Sequence, residues 1–244
     1  MRLLSVALLL LSLPALAQVD ARVAFLSKQL QKGKDPRARS QAALGLGATE
    51  EPEAVEPLCA GLEDTSELVR ASAAKGLSTL LELSGLECLK KHQEPDAATL
   101  ASVRQAIQVL EAFKARPPRR YVAFEGVADK TGTLSAELVK LTDGRLRRRL
   151  VLAGALLAPL KEPRAAAQGV LKKHRITGYR LSAQVQAVEE DGGLRILVVC
   201  LSYPDLALLG QVDVQAAGAP APDLLNALVP KVIEEVAQLL EWSP

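Results

Sequence analysis

The chain has 244 residues, 49% hydrophobic and 24% charged, which excludes a disordered polar chain and suits one large or two small domains. Aromatics reach only 3%, so Leu, Val and Ala must fill the core. The formal charge is +2, or +1 once Arg2 is set aside with the leader described next, which excludes the strong basic excess of a nucleic-acid binder.

The N-terminus reads MRLLSVALLLLSLPALA-Q. Arg2 supplies a positive start, Leu3 to Leu13 an apolar core, and Ala15-Leu16-Ala17 a signal-peptidase site before Gln18. Residues 1–17 are therefore expected to be a cleaved signal peptide, with the mature chain periplasmic or secreted. No Cys follows Ala17, so no lipid anchor is expected. The apolar core is shorter than the ~20 residues a spanning helix needs. The later run VLAGALLAPL (151–160) is also too short and contains Pro159, so the mature chain is expected to hold no transmembrane segment.

Residues 18–115 read as a helical repeat. DPRARSQAALGLG (35–47) aligns with SELVRASAAKGLS (66–78) at an offset of 31, placing Arg39 on Arg70, Ala42-Ala43 on Ala73-Ala74, and Leu46 on Leu77. VAFLSKQL (23–30) aligns with VEPLCAGL (55–62) at an offset of 32. Residues 83–90 and 96–113 form a third copy, in which Val103-Arg104 echoes Val69-Arg70. Two alternating helical patterns of one period mark a solenoid of helix pairs. Pro36, Pro52 and Pro57 fall near helix starts, where proline is tolerated. The Asp35-Pro36 opening, the arginines and the Ala-Ala pairs resemble the HEAT-like repeat family in its short, Ala-rich bacterial form. That resemblance implies stacked antiparallel helices and protein–protein binding. Arg39 and Arg70 are read as hydrogen-bonding groups between repeats. Cys59, Cys88 and Cys200 read as small buried hydrophobes, with a Cys59–Cys88 bridge left open in an oxidising compartment.

Residues 116–120, with Pro117-Pro118, read as a stiff linker, because Pro-Pro cannot continue a helix. Beyond it the period shortens to 2. Residues 121–127 read as a strand, 134–150 as a helix, 154–160 as a short buried strand and 163–174 as a helix. Residues 179–188 alternate apolar and polar, a strand with one wet face. Asp191-Gly192-Gly193 signals a hairpin, residues 194–203 are apolar on both faces as in mid-sheet, and 207–217 return. Residues 222–242 form an amphipathic helix with Asp223 as N-cap and Pro230 as a kink or break. The fold class is two domains: an all-α HEAT-like repeat, then an α+β domain over 121–244. Its element order is β-α-β-α-β-β-β-α, with a largely antiparallel sheet and helices on one face.

DKTGTL (129–134) follows the first strand and matches the string around the phosphorylated aspartate of P-type ATPases. That chemistry needs Mg²⁺-holding carboxylates downstream. The family's later Gly-Asp-Gly-x-Asn-Asp motif and its membrane helices are missing, so Asp129 is not read as a phosphate acceptor. Asp129, Lys130, Thr131 and Gly132 instead resemble the strand-to-helix loop that opens the domain of the curli-secretion lipoprotein family and the amino-terminal domain of the Tol–Pal propeller protein. Lys173 to Tyr179 sits where such domains carry a Gly before their long strand. Gly132 is read as supplying a turn, with Thr131 or Thr133 capping the next helix. A ligand at Asp129–Thr133 on that helix N-terminus is the alternative.

No His, Cys and carboxylate spacing suits zinc, no catalytic triad is visible, and no cofactor is expected. Glu189-Glu190-Asp191 reads as a solvated turn. Residues 140–180 hold eleven basic and two acidic residues, a net +9, whereas 181–244 hold two basic and nine acidic, a net −7. Arg145, Arg147, Arg148, Arg149, Lys172, Lys173 and Arg175 could thus form a basic face for an acidic partner, anionic lipid or cell-wall polymer, or be neutralised within the domain. The functional expectation is a non-catalytic cell-envelope adaptor that binds another envelope protein and no nucleic acid.

Overall fold

The computed structural model describes residues 21–188 and 192–242. The expected leader with its Ala17/Gln18 junction and the Glu189-Glu190-Asp191 turn lie outside the described residues. The chain divides into two compact units, the first ending at Leu110 and the second beginning at Glu111.

The first unit is all helical. It comprises α1 (Ala21–Lys32), α2 (Pro36–Gly47), a 3-10 turn (Pro52–Ala54) running into α3 (Val55–Gly61), α4 (Glu67–Leu80), α5 (Gly85–Lys91) and α6 (Ala97–Ala115), whose last residues belong to the second unit. Asp35 caps α2 by accepting a hydrogen bond from the Arg37 amide, with Pro36 as the first helical residue. One core holds Leu46, Leu58, Leu62, Leu77, Leu80, Leu89 and Leu110 with the paired alanines 42-43 and 73-74. The alanines act as the spacing implied: α2 and α4 come backbone to backbone. A Cβ built on Gly47 would stand 2.6 Å from the Gly76 Cα and carbonyl oxygen.

The second unit holds β1 (Arg120–Asp129), α7 (Ala136–Leu152), β2 (Ala155–Leu157), α8 (Arg164–His174), β3 (Thr177–Val188), β4 (Gly193–Ser202), β5 (Leu208–Ala216) and α9 (Ala221–Leu239). The element order is the expected one. The sheet order is β2-β1-β3-β4-β5. β1 runs parallel to β2 and β3, while the ladders β3–β4 and β4–β5 are antiparallel. β4, apolar on both faces, lies inside the sheet as expected.

α7 and α9 share one face, where Leu146, Leu150, Leu225, Leu228 and Val232 pack on Val122, Phe124, Leu181, Val185, Ile196 and Val198. α8 does not join them. Its Ala167, Val170 and Leu171 pack on Tyr121 and Ala123, which point from β1 to the other side. The cause is the direction of travel: β1–α7–β2 moves one way along the sheet and β2–α8–β3 moves back past β1. Right-handed parallel crossovers of opposite direction set their helices on opposite faces. Two further corrections concern α9. Its N-cap is Pro220, with Asp223 inside the first turn, and Pro230 does not divide it. Buried Leu228, Val229, Val232 and Ile233 flank that proline and hold one continuous helix.

Gly47→Ala tests the backbone contact between α2 and α4. The added methyl meets main chain, which cannot swing aside, so a loss of about 1–3 kcal/mol is expected in denaturant unfolding of the helical unit. Gly144→Ala, where a Cβ meets nothing within 4 Å, is the control and should not destabilise.

Candidate interaction site

Arg39 and Arg70 each stand near the start of the second helix of a repeat and do the same two things. Arg39 donates from Nη1 to the carbonyl of Gly33, six residues back, and clasps the Asp64 carboxylate through Nε (2.7 Å) and Nη2 (2.8 Å). Arg70 donates to the carbonyl of Asp64, also six residues back, and clasps Glu94 through Nε and Nη2, both at 2.8 Å. Each guanidinium thus ties its own preceding loop to the loop of the next repeat. The planar fork suits this, since one face of it binds a carboxylate bidentately while the remaining donor takes a carbonyl. Ser40 and Ser72 add a buried hydroxyl pair at 2.7 Å. Arg104, which the sequence aligns with Arg70, is the eighth residue of α6 whereas Arg39 and Arg70 are the fourth of α2 and α4, so it does not stand at the same place; it is exposed and makes no hydrogen bond or ion pair among the described residues.

Glu94 is the crowded member. Its side chain is fully buried and also accepts from His92 Nε2 at 2.9 Å and from the Asp96 amide at 3.0 Å. Arg70 above all, then His92, hold its pKa down to about 2 against the cost of burial. The other ring nitrogen of His92, Nδ1, lies 2.9 Å from Glu63, and the ring is 4% exposed. Only the imidazolium has two N–H groups to donate to two carboxylates. Burial opposes that charge, but the bonds to Glu94 and Glu63 outweigh it and His92 is raised above its ordinary 6.5. Beside this cluster Cys59 of α3 and Cys88 of α5 form a disulfide, with Cα atoms 5.8 Å apart. They are not the separate buried thiols that their spacing suggested; Cys200 alone is, and burial raises its thiol to about 11.

The Asp129–Thr133 loop satisfies itself. Asp129 Oδ1 accepts from the amide (2.8 Å) and hydroxyl (2.7 Å) of Thr131, and Oδ2 from the Leu134 amide at 3.4 Å. The Thr131 hydroxyl accepts from the Thr133 amide, and the Lys130 amide donates to the Val185 carbonyl. Thr131 and its neighbouring amides keep the Asp129 carboxyl below its ordinary value. Gly132 takes φ +69°, as the turn reading requires. Neither Thr131 nor Thr133 caps α7. Ser135 does, accepting from the Leu138 amide, because the threonine hydroxyls are spent inside the loop.

The basic residues do not form one surface. Arg145 is buried, and Arg147 pairs with Asp143, donates to the Phe124 carbonyl and lies over the Phe124 ring. Arg148 and Arg149 are half-buried on the same helix, α7. Lys172, Lys173 and Arg175 are exposed at the end of α8, across the sheet. Near α8, Glu162 accepts from the hydroxyls of Tyr121 (2.7 Å) and Tyr203 (3.2 Å). Burial first, then Glu162, raises both phenols, which therefore stay protonated donors. Among the described residues no group of His, Cys, Asp and Glu could hold a metal ion, and no helix is long and apolar enough to cross a membrane.

Residues 23–122 match a family model of HEAT repeats. The helical unit is accordingly a HEAT-repeat region, followed by an α+β unit. No curated protein matches the chain. Among solved structures, the PelC dodecamer from Paraburkholderia phytofirmans aligns at 16% identity over 48% of this chain and 86% of that one, with a TM-score of 0.32. A point variant of the same dodecamer aligns at 17% identity over the same shares, with a TM-score of 0.33. Scores this low do not establish a shared fold.

Sequence reasoning found both arginines and missed their acceptors. The signal was present: a carboxylate follows Arg39 by 25 residues and Arg70 by 24, each in the next inter-helix loop.

His92 has its pKa raised on folding, so its contribution is complete below 6.5 and is lost as pH rises through its higher folded value. Protection factors for the α5 amides, exchange rates corrected for their intrinsic rise with pH, should therefore fall between neutral and alkaline pH, and His92→Gln should flatten that dependence. In the loop, Gly132→Ala meets no atom within 4 Å, so its cost is conformational alone, about 1 kcal/mol in denaturant unfolding of the second unit. Asp129→Ala should lower the melting temperature, whereas beryllium fluoride with Mg²⁺ should leave it unchanged.

Proposed function

We propose that the protein is an exported, non-catalytic cell-envelope adaptor whose HEAT-repeat unit binds another envelope protein. The observation that carries this reading is the exposed cation on α6, the last helix of the stack. Arg39 and Arg70 are consumed in clasps between repeats, whereas Arg104, one turn further into its helix, presents its guanidinium to solvent with no ion pair among the described residues. HEAT repeats are stacking units, and an acidic segment of a partner laid along α6 would meet this charge. Export is supported by the leader-like sequence of residues 1–17 and by the Cys59–Cys88 disulfide, since such bridges persist in oxidising compartments. The Asp129–Thr133 loop serves as the structural turn between β1 and α7, because its carboxylate is occupied by its own loop. Ligand binding there is the reading this occupancy disfavours.

A photo-crosslinking residue at Gln105, beside Arg104, tests the proposal in the native cell. A discrete adduct with one envelope protein is expected, lost when Arg104→Glu is added and kept with Arg104→Lys. Alkylation of whole cells should find Cys59 and Cys88 oxidised. Reduced cysteines would remove the export reading, and an adduct pattern indifferent to the charge at 104 would remove the adaptor site.

A further inference from the structure

β5 is an edge strand of nine residues. Among the described residues its backbone makes no hydrogen bond outside its pairing with β4. Natural edges are blunted by Lys, Pro, β-bulges, inward charges or shortness. Leu208–Ala216 contains no Lys, Arg or Pro, and its one charge, Asp213, already lies 3.5 Å from Arg195 of its own sheet. A register shift at Cys200/Leu201 sets Leu208 and Leu209 apart, 70% and 44% exposed, and leaves 210–216 as a regular ladder with a free side. The opposite edge, β2, is blunted by its three-residue length.

We propose that β5 pairs antiparallel with β5 of a second copy of this chain, about a two-fold axis at Val212. A two-fold axis normal to the sheet keeps each face on its own side, so it must pass through a residue facing its own copy. Placed at Asp213, the middle of the regular stretch, it would set two carboxylates opposite one another. Placed at Val212, it sets each Asp213 opposite the Gln211 amide of the other copy and Gly210 opposite Val214. Val212 and Val214 lie on the helix-covered face, so the apolar layer beneath α9 continues from one copy into the next. Leu239 of α9, exposed at 39%, lies over Gly210 on that face and gains cover from the same union. Pairing β5 with β2 of another copy would engage only three residues, so a closed pair of like edges is favoured over an open chain. This inference is independent of the adaptor reading, which concerns the other unit.

Sedimentation of the full mature chain from micromolar to 200 µM tests it. A reversible dimer is expected. Gln211→Asp sets like charges opposite one another twice and should weaken the dimer about tenfold, whereas Gln211→Lys faces Asp213 and should keep or strengthen it. Nitroxides at Gln215→Cys should lie about 2 nm apart, six residues along the pair, and axes at neighbouring residues would give other separations. A monomer at 200 µM, a larger open assembly, or a dimer indifferent to both charges at 211 would each overturn the proposal.

Discussion

The clasp between Arg70 and Glu94 is the constraint on which the helical unit depends. A carboxylate with no exposed surface is costly unless its charge is met, and Glu94 is met by a bidentate guanidinium, an imidazole and a main-chain amide at once. Such a cluster adds little stability over an apolar replacement, but it tolerates only one arrangement. While Arg70 clasps Glu94 its Nη1 donates to the Asp64 carbonyl, and the Asp64 carboxylate in turn holds Arg39. The two clasps are thus linked through one residue, Asp64, whose main chain serves one arginine and whose side chain serves the other. Register between repeats follows from this linkage, while the attraction between helices comes from the leucines and alanines beneath it. The disulfide from α3 to α5 acts on the same junction from the unfolded side: by closing 29 residues it removes about 3–4 kcal/mol of chain entropy from the unfolded state.

The sheet unit is governed by handedness instead. Once β2 and β3 lie on opposite sides of β1, right-handed crossovers leave no choice about the faces of α7 and α8. That single topological fact separates the two basic segments that are close in sequence. It also explains why the arginines of α7 are spent locally. Their helix faces the main core and the β1 carbonyls, so Arg147 finds Phe124 and Asp143, whereas the lysines of α8 point to solvent. The net +9 of residues 140–180 is a property of the chain and not of any one surface.

Periodicity and self-similarity are local, and what they encode was legible: the helix pairs, the repeat arginines, the change to alternating strands and the inner place of β4. Partners across a sheet or between repeats depend on three-dimensional return paths, and these were not. The face of α8 requires the sheet order, which no strand pattern reveals. As a cap Ser135 is indistinguishable in sequence from Thr131 and Thr133, whose hydroxyls are occupied within the loop. The Cys59–Cys88 bond stayed open because 29 residues of separation say nothing about distance until α3 and α5 are placed side by side.

Asp129 shows how a short string can carry two meanings. A phosphorylated aspartate needs a carboxylate oxygen free to attack, with cations gathered round it. A strand that turns into a helix needs a carboxylate that accepts the amides of the turn, a glycine at positive φ, and hydroxyls to fill the remaining donors. Both demands select Asp, Thr and Gly in nearly the same order. They differ in where the lone pairs point, and here both oxygens of Asp129 face amides and a hydroxyl of their own loop. Turning either oxygen outward to a phosphoryl group would uncap Thr131 or Leu134 and loosen the entry to α7, so the geometry that builds the loop works against the chemistry the string suggests.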